Sequence, residues 1–442
     1  MSDRAIRIGL CGFGVVGQGV FDHLERKRSV LREQLGADIF VSKIAVRDLS
    51  KNRDVAVSEA IVGDDAMAVA LDPEIDVVCE LMGGTEFARE VTLEALRAGK
   101  IVVTANKALL CDHGKELLAV AQEHGGHLLF EASVAGGIPV IKAIREGLVI
   151  NDFSSIRGIL NGTCNYILTR MTNEGLGYPQ ILTEAKALGY AEADETLDVD
   201  GIDAAHKAVV LAYLAHGKWV DFNDVRLQGI TEISQEDIQY ARNNGYAVKL
   251  VAIIDRPAES STLRVSVSPT LVPLQSALGS VDGVYNAIAI QGDVVGETVY
   301  IGPGAGRDAT ASAVISDVAD AAKLLIFGGP EGRFPFLDPA PRNGASIEIA
   351  KPEEVRSRYY VRLVVMDQPG VMAEVASILA SHEVSLASVS QKEVPEDAER
   401  VSLIITTHVT TERAAALAVE DLKKLASVEE RPFYMPIDSF AS

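Results

Sequence analysis

Short runs of β-branched residues alternate with helical segments over the N-terminal part of this chain, from Ile6 to about Val134. The strand-like runs are Ile6 to Cys11, Ile39 to Val46, Ile75 to Leu81, Ile101 to Thr104 and His127 to Glu131. Parallel strands need a long crossover, usually a helix, so this alternation predicts an α/β fold with a doubly wound parallel sheet. All-α and all-β folds are excluded for this part of the chain.

A glycine-rich turn follows the first strand and opens a helix. Its residues are Gly12, Phe13, Gly14, Val15, Val16 and Gly17, which match the dinucleotide fingerprint Gly-x-Gly-x-x-Gly. The glycines allow a tight turn, close approach of the backbone to a pyrophosphate, and close packing of the helix. We therefore expect a Rossmann-type NAD(P)-binding domain. The alternative is a turn that needs glycine only for its backbone conformation.

The end of the second strand bears on the choice of coenzyme. NAD-specific sheets usually place an acid there, against the ribose 2′-hydroxyl. Here Arg47 precedes Asp48, and a cation at this point can neutralise a 2′-phosphate. The sequence favours NADP, while Asp48 keeps NAD open. Thr104 and Lys107 follow a later strand, at the sheet edge where ligands bind, and Lys107 is the cation expected near the nicotinamide or the substrate.

The acidic balance of the chain limits its partners. With 41 basic and 62 acidic residues the formal net charge is −21, which repels nucleic acid and anionic lipid. No apolar run approaches the ~20 residues that span a bilayer, and no signal peptide precedes the first strand. The four cysteines show no paired spacing. We expect a cytoplasmic protein that binds neither nucleic acid nor membrane.

An acid and an amine lie one helical turn apart just before the apolar run Ala208 to Ala215. Asp203 and Lys207 therefore share a helix face. An ammonium beside carboxylates at the buried start of a helix can exchange protons with a substrate oxygen, and Glu192 and Asp198 can grip a cationic ligand. The alternative is an ordinary surface ion pair.

Four segments together resemble homoserine dehydrogenase over most of the chain. They are Gly12 to Gly17, Thr104-Ala-Asn-Lys107, Glu131-Ala-Ser-Val-Ala-Gly-Gly-Ile-Pro139, and Gly189-Tyr-Ala-Glu through Asp203-Ala-Ala-His-Lys207. The resemblance implies reversible NAD(P)H-dependent reduction of L-aspartate 4-semialdehyde to L-homoserine, in threonine, methionine and isoleucine biosynthesis. It also implies that Lys207 is the acid/base, supported by Asp203, and that the substrate is bound by Gly189, Glu192, Asp198 and Lys107.

Two further sites follow from the same resemblance. Glu131 with the backbone carbonyls of Val134, Gly136 and Ile138 is expected to hold a structural sodium or potassium ion, for which oxygen ligands are suitable. The alternative is a tight turn that Glu131 caps. Gly306, before a late helix, is expected near the cofactor, and its alternative is a simple domain crossover.

Two other functions compete with this hypothesis. Cys164 lies in a polar segment, Asn161 to Tyr166, where the family often has Thr. In a loop it could serve an acylating aldehyde dehydrogenase, which needs a cysteine nucleophile. The second alternative is an amino-acid sensor with a vestigial dehydrogenase, which has no use for both lysines.

The last part of the chain predicts the order β-α-β-β-α-β and resembles an ACT domain. We expect a Rossmann domain at 1–135, completed by 303–328, a substrate and dimerisation domain at 136–302, a linker at 329–357 and the ACT domain at 358–436. The resemblance implies an amino-acid effector, most plausibly threonine, near Asp367 to Val371 in a homo-oligomer, either dimer or tetramer. The alternative is an ACT domain that serves only to oligomerise.

Overall fold

The computed structural model describes residues 4–57, 62–188, 194–257, 260–328, 347–391 and 399–438. The N-terminal elements, in chain order, are β1 (Arg4–Cys11), α1 (Val15–Leu35), β2 (Ala37–Ala45), β3 (Val62–Gly63), α2 (Ala66–Leu71), β4 (Val77–Glu80), α3 (Glu86–Arg97), β5 (Ile101–Thr104), α4 (Lys107–His124) and β6 (His127–Leu129). The strands form one parallel sheet in the order β3-β2-β1-β4-β5-β6. This is the Rossmann order, so the predicted fold class is confirmed.

The middle of the chain mixes helices with long strands. Its elements are α5 (Val140–Lys142), β7 (Phe153–Ile159), α6 (Gly162–Glu174), α7 (Tyr178–Ala187), α8 (Thr196–Val199), α9 (Ile202–His216), β8 (Arg226–Leu227), α10 (Gln235–Asn243), β9 (Tyr246–Asp255), β10 (Thr262–Pro273), β11 (Tyr285–Gly292), β12 (Gly296–Pro303) and α11 (Arg307–Phe327). A 3-10 turn at Glu131–Ser133 precedes α5, and a π-helical turn at Ala143–Gly147 follows it.

The C-terminal elements follow the predicted order, with two short strands added. They are β13 (Glu348–Ile349), β14 (Arg356–Met366), α12 (Val371–Ser381), β15 (Leu386–Gln391), β16 (Arg400–Thr407), β17 (Thr410–Thr411), α13 (Glu412–Leu422) and β18 (Phe433–Ile437). Apolar side chains of β14, β16, α12 and α13 form one buried cluster, which includes Leu363, Val375, Ile405 and Leu422. The segment thus has a hydrophobic core of its own.

Two compact units divide the chain. The first comprises residues 1–154, 205–225 and 285–345, and the second comprises 155–204, 226–284 and 346–442. In the first unit, α11 joins the core of the parallel sheet through Val314 and Val318, which pack in the same buried cluster as Ile8 and Leu10. The antiparallel hairpin β11–β12 also belongs to this unit. Residues 205–225 bring most of helix α9, including Lys207, into the same unit.

The second unit contains a single sheet shared by the middle and C-terminal elements. Strand β9 pairs with β7 and with β10, and β18 lies between β10 and β14. The β10–β18 pairing is parallel at Leu271 and Ile437, whereas β18 and β14 pair antiparallel over five residues. The C-terminal domain therefore extends the sheet of the substrate domain by backbone hydrogen bonds.

Two local differences from the sequence prediction stand out. The segment from Asn161 to Tyr166 was expected to be a loop, but Asn161 caps helix α6 by accepting the backbone N–H of Cys164 at 2.8 Å. Asparagine is a strong N-cap residue, which explains why the helix begins there. The two-residue strand β3 was not predicted, because it is too short for a periodic pattern. Of the predicted linker, residues 347–357 are described and include β13, which pairs with β10.

Candidate functional site

The glycine turn between β1 and α1 has the geometry that a pyrophosphate requires. Gly12 has φ 109°, and a Cβ there would lie 2.3 Å from the carbonyl oxygen of Leu81. A Cβ on Gly17 would lie 2.3 Å from the carbonyl oxygen of Gly12. Around Gly14, the N-cap of α1, the described residues leave the Cβ direction open for 4 Å. The first turn of α1 carries no acid and its N-cap makes no side-chain bond, so its amides remain available to an anion.

Cations gather at the end of β2, where the coenzyme ribose lies in such folds. Arg47 is exposed. Asp48 directs one carboxylate oxygen to the backbone N–H and hydroxyl of Ser50, at 2.8 and 2.6 Å, and these bonds lower the pKa of Asp48. Arg53 donates to the carbonyl of Asp48 at 2.6 Å. Asp48 therefore shapes a turn, with Arg47 exposed beside it and Arg53 half-buried against its backbone.

The carboxyl edge of the sheet holds Thr104 and Lys107 together with an acid that sequence reasoning missed. Glu80, the last residue of β4, is fully buried and accepts the hydroxyl of Thr104 at 2.7 Å. The Thr104 oxygen in turn accepts the N–H of Asn106 at 2.9 Å, and Asn106 caps α4, which begins at Lys107. Burial is the main cause that raises the pKa of Glu80. The sequence did contain a signal for Glu80, because it is an acid at the end of an otherwise apolar strand.

Helix α9 carries the predicted acid/base pair. Asp203 and Lys207 lie one turn apart, and only 9% and 7% of their surfaces are exposed. These residues therefore do not form an ordinary solvent-exposed ion pair. After the helix, Trp219 stacks on Tyr213 with a centroid distance of 4.3 Å. Trp219 also lies so close to Gly114 of α4 that a Cβ there would be 2.4 Å from its ring.

Asn161 joins two of the predicted acids in the second unit. Its side-chain amide donates to Asp198 at 2.7 Å and to Asp203 at 2.9 Å. Cys164 is fully buried, and its thiol donates to the carbonyl of Asp198 at 3.1 Å. A thiol buried on a helix and bonded to a carbonyl does not have the accessible setting of a catalytic cysteine. Gly189 and Glu192 lie outside the described residues.

The Glu131 turn is built around buried carboxylates. Glu131 accepts the N–H groups of Ile141 and Lys142 at 3.1 and 2.9 Å, and its own N–H donates to Asp317 at 2.7 Å. Burial, followed by the charge of Asp317, raises the pKa of Glu131. Ala135, between the predicted ligands Val134 and Gly136, has φ 47°, a strained value for a residue other than glycine.

The same turn is bonded to the segment that carries Gly306. The N–H of Gly136 donates to the carbonyl of Gly304 at 3.0 Å, and that of Gly137 donates to Pro303 at 2.9 Å. Gly306 is the N-cap of α11, whose first residues touch α1 through a hydrogen bond between the Asp308 and His23 side chains at 2.8 Å. The structure thus brings Gly306 beside the helix that follows the nucleotide turn. Among the described residues, no group of three or more His, Cys, Asp or Glu side chains is arranged to hold a metal ion.

The first unit combines a Rossmann sheet, an open glycine turn and a buried lysine, and a further domain follows at the C-terminus. These features are typical of an oxidoreductase that depends on a nicotinamide dinucleotide. Three family models match the chain: homoserine dehydrogenase, NAD binding domain, over residues 12–131, homoserine dehydrogenase over 139–319, and ACT domain over 359–427. The homoserine dehydrogenase of Pseudomonas aeruginosa is 42% identical over 96% of this chain and 97% of its own. The chain belongs to the homoserine dehydrogenase family and carries a C-terminal ACT domain.

Solved structures agree with this assignment. A homoserine dehydrogenase from Thiobacillus denitrificans superposes with a TM-score of 0.91 at 40% identity, covering 98% of both chains. A hyperthermophilic archaeal homoserine dehydrogenase in complex with NADPH has a TM-score of 0.60 at 28% identity, and covers 72% of this chain and 97% of its own. The expected family, enzyme class and nicotinamide cofactor are confirmed, and the acylating and sensor alternatives are set aside. In the described part of the chain, no helix is long and apolar enough to cross a membrane.

Proposed function

We propose that Lys207 is the general acid/base for reversible reduction of L-aspartate 4-semialdehyde to L-homoserine. One observation carries this proposal: Lys207 is 93% buried in helix α9, one turn after a carboxylate, in the compact unit that contains the nucleotide turn. A buried ammonium needs a partner charge, and Asp203 is the nearest acid on its helix face. A lysine held in this way has a proton available for a substrate oxygen.

The proton step follows from the charge that develops on the substrate. The nicotinamide supplies the hydride when it is bound. Lys207 donates a proton to the aldehyde oxygen as that oxygen becomes an alkoxide, and its charge stabilises the developing anion. In the reverse direction Lys207 accepts the proton of the alcohol. Asp203, one turn earlier on the same helix, supplies a negative charge on the side of the helix that carries the Lys207 ammonium.

The amino group of the substrate is bound in this proposal by acids of the same motif. Asp198 is the described member, and Asn161 supports both it and Asp203 through one amide. An amide that donates both its protons to two carboxylates fixes their separation. Gly189 and Glu192 complete the proposed substrate-binding set. Their roles rest on the family resemblance, because they lie outside the described residues.

Lys107 is proposed as the second cation of the site. Its helix, α4, begins at the carboxyl edge of the parallel sheet, where ligands bind in this fold. The helix is also held against the segment after α9, because Trp219 packs on Gly114. This contact supports a joint role for the two lysines, since it ties together the two helices that carry them.

The proposed coenzyme is NADP, with NAD as the alternative. Exposed Arg47 lies at the end of β2, and Asp48 already has one oxygen occupied by Ser50. An acid engaged in its own turn is a poorer partner for a ribose 2′-hydroxyl, whereas an exposed guanidinium suits a 2′-phosphate. The archaeal relative whose structure contains NADPH is in keeping with this choice.

A structural sodium or potassium ion is proposed at Glu131, with the carbonyls of Val134, Gly136 and Ile138 as further ligands. Two buried carboxyls, Glu131 and Asp317, lie within one hydrogen-bonded cluster, and a monovalent cation would offset part of their negative charge. The strained Ala135 in this turn also supports a ligand-binding role. The alternative is that Glu131 only caps the turn, and the hydrogen bonds that it accepts from Ile141 and Lys142 are equally consistent with that role.

The ACT domain is proposed to bind threonine near Asp367 to Val371 and to suppress turnover. This places the enzyme in threonine, methionine and isoleucine biosynthesis. We further propose a cytoplasmic homo-oligomer, either dimer or tetramer. Support comes from the shared sheet, because β18 pairs with both β10 and β14 and so joins the effector domain to the substrate domain.

The test of the catalytic proposal is Lys207→Ala. Turnover of NADPH with L-aspartate 4-semialdehyde should fall by at least about 100-fold, because proton transfer by a positioned side chain contributes that much or more. The dissociation constant of NADPH, measured by fluorescence titration, should stay nearly unchanged. Lys115→Ala, an exposed lysine of α4, is the matched control and should retain full activity. Loss of NADPH affinity with Lys207→Ala, in place of loss of turnover, would move Lys207 out of the chemistry.

A further inference from the structure

A partly open cavity of about 110 Å³ lies where the substrate-domain strands meet the ACT domain. Arg226, Arg264 and Ser266 line it from β8 and β10, and Tyr359, Glu412 and Tyr434 line it from the C-terminal elements. We refer to it as the seam cavity. A space of this size exceeds the voids left by ordinary packing and holds several water molecules or a small polar ligand.

Two polar groups in the wall of the seam cavity lack a partner. Ser266 is 4% exposed, and its hydroxyl has no hydrogen-bond partner among the described residues. The Nε of Arg264 is likewise buried without a partner in the described part of the chain, and its Nη1 lies 3.9 Å from Asp255. Nearly all buried polar groups in proteins are hydrogen-bonded, and leaving them unpaired is costly. A bound molecule that accepts hydrogen bonds would satisfy both.

The charges around the cavity select the kind of molecule. Burial is the first cause that lowers the pKa of Arg264, so an anion beside it would be stabilising. Arg226 pairs with Glu412, and it also donates to the carbonyl of Ala350 at 2.9 Å. The wall thus offers cations and a hydroxyl for a carboxylate, next to one carboxylate that suits an ammonium. A dianion such as phosphate would meet repulsion from Glu412 and from Asp255.

A second cavity of about 250 Å³ adjoins the first and shares Leu227, Gln228 and Tyr434 with it. Its walls include apolar side chains, among them Ala416 and Val419 of α13. Gln228 donates to the carbonyl of Tyr434 at 3.1 Å at the boundary. Together the two spaces reach the size range of small-molecule sites, and the outer one also has the charged side chains of Glu232, Glu420, Lys423 and Arg431 in its wall. An α-amino acid would place its head group in the inner space and its side chain in the outer one.

We propose that the seam cavity binds a small L-α-amino acid, with its carboxylate on Arg264 and Ser266 and its ammonium towards Glu412. The site is separate from the turn Asp367 to Val371. The ligand would touch strand β10 on one side and helix α13 and strand β14 on the other. It would therefore stabilise the joint between the substrate and ACT domains, and binding should raise the unfolding temperature of the full chain.

The experiment is a binding screen on the full-length protein. Each common L-amino acid is added at millimolar concentration in thermal unfolding, with sodium acetate and sodium phosphate as comparison ligands, and each amino acid that raises the unfolding temperature is titrated by calorimetry. Ser266→Ala should weaken its affinity about tenfold, and Arg264→Gln should weaken it more. Arg256→Gln, an arginine outside the cavity, and Asp367→Ala, at the ACT turn, should leave at least one such affinity unchanged.

Three results would overturn the proposal: no amino acid binds, phosphate alone binds, or every amino acid affinity is lost in Asp367→Ala and kept in Ser266→Ala. The last result would assign the ligand to the ACT turn. Ser266→Ala removes one unpartnered hydroxyl and breaks no ion pair, so it remains informative if Arg264→Gln fails to fold. Thermal unfolding and calorimetry measure binding and not turnover, so a negative result leaves the catalytic proposal for Lys207 unaffected.

Discussion

Glu80 illustrates how a single buried residue can organise the ligand edge of the sheet. Its carboxylate accepts from the Thr104 hydroxyl and from the N–H of Met82 at 2.9 Å, and so it holds two loops that follow neighbouring strands. These partners orient the segment in which Lys107 starts its helix. Glu80 makes this arrangement possible without itself facing solvent.

The pH dependence of stability should reveal Glu80. Burial raises its pKa in the folded state above the ordinary value of 4.5, so the folded chain binds a proton that the unfolded chain has lost. The contribution of Glu80 to the free energy of unfolding is full at low pH and declines as the pH rises from 4.5 towards the folded pKa. The slope of this decline is at most about 1.4 kcal/mol per pH unit. Glu80→Gln, which carries no titrating proton, should flatten the curve of urea midpoint against pH. Exposed Glu74→Gln is the control, and equal slopes in wild type and Glu80→Gln would refute the assignment.

Arg47 provides the test of coenzyme choice. Arg47→Ala should weaken NADPH about tenfold or more, because a charged hydrogen bond to the 2′-phosphate is lost, and should leave NADH nearly unchanged. The dissociation constants of both coenzymes are measured by fluorescence titration. Arg97→Ala, an exposed arginine at the end of α3, serves as the control. Equal weakening of NADPH and NADH would mean that Arg47 does not contact the 2′-phosphate.

The residues that the sequence predicts for the site are those that belong to a short motif. The glycine turn is one, because its backbone geometry depends on adjacent residues. Glu80 and Asn161 were not found, because their partners are 24 and 42 residues away in the chain. Only the folded sheet and helices bring such groups together. A single sequence carries no local signal for a pair of that kind.

Among the elements, helix α10 and strand β14 are joined by one buried acid. Asp237 has no exposed surface, and it accepts the Tyr360 hydroxyl at 2.6 Å and the Arg362 guanidinium at 2.8 Å. It also accepts the N–H and hydroxyl of Ser234, with which it forms a capping box at the start of α10. One carboxylate thus caps a helix and binds the first strand of the ACT domain.

Asp237→Ala should destabilise the protein by about 3–5 kcal/mol, because it leaves a largely buried arginine without its partner charge. The loss is measured from the urea unfolding midpoint. Glu236→Ala, one residue earlier on α10, takes no part in these four hydrogen bonds and should change stability little. A similar midpoint for both variants would show that Asp237 does not join α10 to β14.

Regular elements were predicted well where apolar periodicity was strong, as in β5, whose bounds agree with the expectation. The start of α6 was missed because Asn161 and Gly162 were taken for loop residues, although asparagine there is a helix cap. The pairing of β18 with β10 could not be predicted from sequence. It joins strands that are far apart in the chain, and strand propensity does not specify a partner.

At the scale of the whole molecule, the continuous sheet of the second unit bears on regulation. A ligand that binds the ACT domain changes activity only if it has different affinities for two states of the enzyme. Backbone pairing through β18, the ion pair of Arg226 with Glu412 and the Asp237 cluster are among the physical links between the ACT and substrate domains. Links of this kind can carry such coupling within the second unit.

Inhibition by threonine provides a test of that coupling. Added L-threonine should suppress NADPH oxidation by the wild-type enzyme, and Tyr360→Phe should weaken the suppression several-fold, because it removes one bond to Asp237 and keeps the ring. Threonine affinity, measured by calorimetry, should change less than the inhibition, since the ACT turn is intact. Tyr300→Phe on β12 is the matched control.

Turnover of the wild type that is indifferent to threonine would make the ACT domain an assembly device or a sensor of another ligand. Undiminished suppression in Tyr360→Phe would instead assign the coupling to other links, because removal of a bond that carries the coupling should weaken it.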